Sequence, residues 1–277
     1  MKPLLSYLPP ALFLLVSISC GSPPPVSQAE PPPDPDPRAR IREMSDLLAG
    51  ATALTLSAHE VHERDTVEGK PERLEGEQTV VIQRPDRLYI RAKGKGFRNI
   101  DHELFYDGQT LTLANHVQNV WASAAVPATI DEMLDQVSWR FNLPIPLADM
   151  MYSSPFDAVM TDSTVVRFVD VEVMGGLRCD HFAATQETVD WEIWISADGD
   201  PLPRKLDIIH KNLEGTPRSQ IEFSSVDLAS TPEVSRFVFT PKEGYHQIPV
   251  VENAPPNGDP PASPDGGTDS AEEGREE

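Results

Sequence analysis

Three short clusters in this 277-residue chain carry residue types that could do chemistry. R-C-D-H at 178–181 places a thiol, a carboxylate and an imidazole side by side, the groups that nucleophilic catalysis draws on. The segment reads as strand, and neighbours on a strand alternate faces, so Cys179 and His181 share one side while Asp180 points away. No oxyanion or substrate element accompanies them. H-E-V-H-E at 59–63 superficially resembles a zinc-protease motif, but that motif needs two histidines four apart on one helical face. His59 and His62 are three apart in a strand-like segment and point to opposite sides, so a metal would need further ligands from elsewhere. The carboxylates are scattered; Asp131, Glu132 and Asp135 fall in the first turns of an expected helix, where they suit its dipole and solvent. No Gly-rich phosphate loop, nucleophile elbow or cofactor fingerprint is present. The expectation is a non-enzyme with no catalytic, cofactor or metal site.

A different kind of chemistry is written at Cys20. Lys2 precedes an apolar stretch, Ala11 to Val16 plus Ile18, that ends in small residues, which is the layout of a secretory signal peptide. Pro9, Pro10, Ser6, Ser17 and Ser19 interrupt it, whereas a spanning helix needs about 18 uninterrupted apolar residues. S-I-S-C-G resembles the bacterial lipobox, in which the cysteine becomes the lipidated N-terminus of the mature chain. Ile18 and Ser19 fit; Ser17 stands where leucine or another aliphatic is usual. Lipidation of Cys20 would tether the chain to a membrane, and ordinary cleavage that leaves Cys20 unmodified is the alternative. Gly21, rather than aspartate, after the cysteine favours outer-membrane sorting. With Cys20 allocated, Cys179 is the one other cysteine, so an intramolecular disulfide is not expected and Cys179 should pack as a small hydrophobe.

Composition divides the chain. Residues 1–20 form the signal, 21–38 a proline-rich spacer, 39–251 a single domain and 252–277 an acidic tail expected to be disordered. The formal net charge is −21, of which the tail contributes −7 and the domain −13. Such acidity argues against nucleic acid as a partner and against broad adsorption to anionic lipid, leaving the covalent lipid as the route to the membrane. The basic run Arg91, Lys93, Lys95 and Arg98 stands out, and reads as a solvated strand end or, alternatively, a contact for lipid headgroups or an acidic partner.

The elements that would position these residues are mostly strands. A helix over 39–48, with Ile41, Met44, Leu47 and Leu48 at helical spacing and Gly50 as its stop, opens the domain. Leu54, Leu56 and Ala58 alternate with polar residues; 79–83 and 87–91 read as strands separated at Pro85. Asp107-Gly108, Gly175-Gly176 and Asp198-Gly199 mark tight hairpin turns. Most of the domain is therefore an antiparallel meander, in which Val189, Trp191, Ile193 and Ile195 face a core. One helical insert over 128–152 interrupts it. Thr129 and Glu132 form a capping box, Ile130, Met133, Leu134, Val137 and Phe141 an apolar stripe, and Pro144 and Pro146 an end, before a second short helix in P-L-A-D-M-M-Y. Such a sheet curved around one or two helices can hold an apolar interior. Trp121, Met133, Val137, Trp139, Phe141 and Trp191 are the candidates to line it, with ordinary core packing as the competing reading for the tryptophans, Trp194 included.

Several segments together resemble one family in order along nearly the whole domain: R-P-D-R-L at 84–88, Y-D-G-Q-T-L-T-L at 106–113, I-D-E-M-L, P-L-A-D, G-G-L-R-C-D-H at 175–181, D-W-E-I-W-I at 190–195 and P-L-P-R-K-L. The family is the predicted periplasmic family of unknown function DUF2092. It is similar in architecture to the LolA and LolB lipoprotein carriers and the periplasmic sensor RseB. The resemblance implies a mainly β (α+β) fold, a curved antiparallel half-open barrel wrapped around one or two helices, and an envelope location; it implies no activity. The leading functional expectation is a periplasm-facing envelope lipoprotein holding a hydrophobic ligand, a lipid or acylated protein. The alternatives are a sensor or scaffold gripping a protein partner and, third, an envelope hydrolase.

Overall fold

The computed structural model describes residues 33–253, apart from Val67 and Phe97. The signal segment, Cys20, most of the spacer and the tail from residue 254 lie outside these residues. Helix α1 (Pro37–Gly50) starts earlier than the apolar spacing indicates. Asp36 accepts a hydrogen bond from the Ala39 N–H at 3.0 Å and Pro37 takes the first helical position, so the last residues of the expected spacer form the cap. Gly50 is the final helical residue rather than the stop beyond it.

The chain then runs through β1 (Ala53–Asp65), β2 (Pro71–Gln83), β3 (Arg87–Gly96), β4 (Ile100–Tyr106), β5 (Thr110–Asn115) and β6 (Val120–Ala125). After three helices come β7 (Val165–Met174), β8 (Leu177–Thr185), β9 (Val189–Ser196), β10 (Pro203–His210), β11 (Arg218–Asp227) and a two-residue β12 (His246–Gln247). All twelve join one curved open sheet in the order β12-β6-β5-β4-β3-β2-β1-β11-β10-β9-β8-β7. Two meanders meet where β1 pairs antiparallel with β11, and β12 alone runs parallel to its neighbour β6. The Asp107-Gly108 and Gly175-Gly176 turns are where the dipeptides place them, whereas Asp198-Gly199 falls in a six-residue connection, 197–202, between β9 and β10 and not in a tight hairpin. Asp107 Oδ1 accepts from the Gln109 and Thr110 N–H groups, and Gly175 and Gly176 both hold positive φ (56° and 85°), as a two-residue hairpin loop requires.

The inner face of the sheet carries the core: Leu54, Leu56, Val80, Ile82, Leu88, Leu104, Tyr106, Phe182, Trp191, Ile193 and Ile195 are buried against the helices. The expected pattern of Val189, Trp191, Ile193 and Ile195 on one side holds, with Val189 partly buried. Helix α2 (Ile130–Phe141) buries Ile130, Met133, Leu134 and Val137. Its cap is Thr129, whose hydroxyl accepts from the Glu132 N–H at 3.2 Å and donates to Glu132 Oε2 at 2.9 Å. Asn142, in the left-handed region, ends the helix two residues before Pro144. Helix α3 (Ala148–Met151) is the expected second short helix, and α4 (Pro155–Val159) is an additional one that lengthens the insert. Its local signal is Ser154 followed by Pro155 at the first helical position. Arg84, at the β2–β3 turn, donates to the Met151 and Tyr152 carbonyls at 2.9 and 3.1 Å and fastens the end of α3 to the sheet.

The outer face has its own small core. Val81, Tyr89 and Phe105 pack under Phe237, and Phe239 meets the rings of Phe105 and Trp121 at 5.4 and 5.3 Å. The C-terminal segment thus covers the outside of the first meander.

Candidate functional site

An apolar pocket of about 340 Å³ opens between the helices and the inner face of the second meander. Met44 and Ile41 of α1 form one wall and Phe156 of α4 another. Trp191 and Ile193 of β9 with Leu206 and Ile208 of β10 make the floor. Period-two alternation on β9 and β10 and the three-to-four spacing on α1 deliver these side chains to the same space. Hydrogen bonds hold the walls apart at fixed positions. Ser45 Oγ accepts from the Phe156 N–H at 2.7 Å, and Gln186 Nε2 donates to the Val159 carbonyl and to Thr164 Oγ1, each at 2.7 Å. The Arg42 guanidinium lies 3.6 Å from the centre of the Phe156 ring. One turn before Met44 on α1, Arg40 Nε donates to Asp180 Oδ2 at 3.2 Å and Arg40 also reaches the Ser196 carbonyl, which locks the helix onto β8 and β9.

The pocket's polar equipment is sparse. Asp149 lies at the mouth with access to solvent, and the surrounding protein pushes its carboxyl up from the usual range by loss of hydration. Ser45 is committed to the Phe156 amide. The site can therefore bury an apolar group and present one carboxyl at its entrance, an arrangement suited to holding a ligand.

The six residues expected to line a cavity separate. Trp191 is on the pocket floor. Met133 and Val137 are fully enclosed in the core, because α2 spends its stripe on closing the sheet, and Phe141 is partly buried beside them. Trp139 falls off the stripe and is 43% exposed. Trp121 points to the outer face under Phe239, as its cross-strand partner Ala114 and the alternation of β5 and β6 dictate. These five are not on the pocket wall, and the residues that are, from α1, α4 and β10, were missed. Their signal was the apolar face of α1 together with Leu206 and Ile208.

Cys179 and His181 share the outer face and Asp180 turns inward to Arg40, as alternation requires. Burial pushes the Cys179 thiol up, and its Sγ faces the Leu177 carbonyl at 3.7 Å, so it packs as a buried thiol outside the main core. His59 meets Glu77 at 3.0 Å and Glu75 at 3.3 Å outside, while His62 meets Ser219 and Glu60 on the opposite face. In the basic run, Arg91 pairs with Asp101 and Glu103, and Lys93 and Lys95 stand across from Glu77 and Glu75. Acidic neighbours thereby offset the cluster.

The family model for DUF2092, described as a predicted periplasmic protein, matches residues 38–251. The chain belongs to this family. No curated protein matches it. Among solved structures it is similar to an uncharacterized conserved protein from Thermus thermophilus (9% identity, 76% of this chain and 98% of that one, TM-score 0.43). It is also similar to MucB in complex with MucA(peri) (13% identity, 74% and 60%, TM-score 0.36) and to a LolA superfamily protein from Nitrosomonas europaea (7%, 73% and 97%, TM-score 0.30). Within the described residues of this DUF2092 protein, no helix is long and apolar enough to cross a membrane.

Proposed function

We propose that this DUF2092 protein is a periplasm-facing lipoprotein, tethered through Cys20, whose sheet and helices hold a hydrophobic ligand such as an acyl chain. The observation that carries the reading is the pocket walled by Met44, Phe156, Trp191, Ile193 and Leu206, at the small end of the roughly 300–1,000 Å³ range of ligand sites. An aliphatic chain entering it would displace water from apolar walls, at about 25 cal/mol for each Å² removed from water. The test is mass spectrometry of lipids extracted from protein purified from membranes. A co-purifying acyl species that disappears in Ile208→Trp, which fills the floor, supports the reading; protein free of lipid in both forms refutes it. The tether is tested separately, since Cys20→Ala should move the protein to the soluble fraction, and persistent membrane association would remove the lipid anchor.

A second reading, a module that grips a protein partner, rests on β7. It is an edge strand, and Val165, Val171 and Val173 on it and Leu177 beyond its turn are 41–70% exposed. An open apolar edge is a template for an added strand. Crosslinks to a partner that vanish in Val173→Lys would favour it, and an unchanged crosslinking pattern would count against it.

A further inference from the structure

On the outer face of the second meander, away from the pocket, three potential metal ligands converge. Asp170 and Glu172 stand two apart on β7 and so point the same way, and His181 lies directly across from Asp170 on β8. One ligand atom from each lies within 4.8 Å of the others, with His181 Nδ1 3.4 Å from Asp170 Oδ1 and 3.2 Å from Glu172 Oε1. A register shift between Phe168 and Asp170 lets Phe168 turn inward onto Phe182 while the two carboxylates remain outside.

The histidine is not an ordinary surface residue. It is 7% exposed, its ring stacks on Trp194 with centroids 4.1 Å apart, and its Nε2 lies 3.1 Å from Glu192 Oε2. The Glu192 carboxylate can only accept from Nε2, which suits the tautomer whose Nδ1 offers its lone pair as a ligand. Nδ1 is buried, makes no hydrogen bond, and faces the two carboxylates. A cation at this point would be met by the imidazole nitrogen and both carboxylates at once. Glu192 occupies the place of the carboxylate that orients a metal-bound imidazole from behind. The two imidazole–carboxylate separations also suit a metal, because ligands bound at about 2.1 Å in a tetrahedron are about 3.4 Å apart.

We propose that Asp170, Glu172 and His181 bind a divalent transition-metal ion of the zinc class, with Glu192 orienting the imidazole and water completing the coordination. One imidazole with two carboxylates suits such an ion, and the exposed carboxylates leave it open to solvent. The ion would fasten the edge strand β7 to β8.

Equilibrium dialysis of the tag-free full chain against zinc chloride near neutral pH, followed by metal quantification, tests this. One zinc per chain is expected. It should be lost in Asp170→Asn/Glu172→Gln, whose changes are on exposed side chains, and in His181→Ala, with circular dichroism checking that each is folded. Glu192→Gln should weaken binding by about 10–100-fold, and His59→Ala should leave it unchanged. Wild-type protein that takes up no zinc, uptake that survives in the folded Asp170→Asn/Glu172→Gln protein, or loss in His59→Ala would overturn the assignment.

Discussion

Ile193 and Leu54 offer a paired test of whether the pocket is open space. Both are buried in the same core, at 3% and 0% exposure, and truncation to alanine removes three carbons from each. The transfer contribution is therefore equal, about 2.4 kcal/mol at about 0.8 kcal/mol per methylene. The difference lies in what is left behind. Leu54 is not on the pocket wall, so Leu54→Ala leaves a sealed void, which adds about 24 cal/mol per Å³ and brings such substitutions to roughly 3–5 kcal/mol. Ile193 already borders about 340 Å³ of space, so Ile193→Ala enlarges an existing opening and should stay near the transfer value. Urea unfolding of both variants, read as midpoint shifts at constant slope, should show Leu54→Ala the more costly by about 1 kcal/mol or more. Equal losses, or a larger loss at Ile193, would mean that the floor of the pocket is packed as tightly as the rest of the core, and the ligand-holding argument would fail with it.

Three further outcomes follow from the electrostatics. Arg40 and Asp180 are paired with side chains 16% and 12% exposed, and Arg40 keeps Glu43 and the Ser196 carbonyl as partners, so Asp180→Asn removes one charged contact of a largely buried guanidinium and should cost about 1–3 kcal/mol. Glu72→Gln, in the exposed pair with Arg64, should cost under about 1 kcal/mol in the same urea assay. Asp149, open to solvent at the pocket mouth, has its folded-state pKa raised by partial loss of hydration, so the folded protein binds the proton more tightly than the unfolded chain and this residue opposes folding once ionised. Asp149→Asn should therefore stabilise the protein at neutral pH. The advantage should shrink as pH falls through the raised pKa and be gone below the unfolded value of about 3.9; a gap that persists in acid would contradict it.

Local chemistry decided the elements, and the sequence is a sufficient guide wherever short-range rules operate. Asp107-Gly108 and Gly175-Gly176 make turns because positive backbone angles are cheap there. Thr129 caps α2 because its hydroxyl reaches the Glu132 amide three residues on. The opposite faces of Cys179 and Asp180 follow from the pleat alone, as do those of His59 and His62. Family membership was legible in short segments spread in order along the chain, and the family model matches residues 38–251.

What needed the tertiary structure was every question of which surfaces meet. Trp121 has the composition of a cavity residue but lies outside, because the C-terminal Phe239, 118 residues away in the chain, covers it there. The α2 stripe looked like a pocket wall and is instead a plug, while α1 and α4 frame the opening. The outer cluster stands between these cases. Counting back from the Gly175-Gly176 turn places Asp170 opposite His181, yet nothing in the sequence said that His181 would be buried under Trp194 with Glu192 behind it. Alternation and capping act over a few residues and can be read from spacing. A pocket or a ligand set depends on long-range packing, which fixes depth and partners only when the sheet has curved and its helices have closed on it.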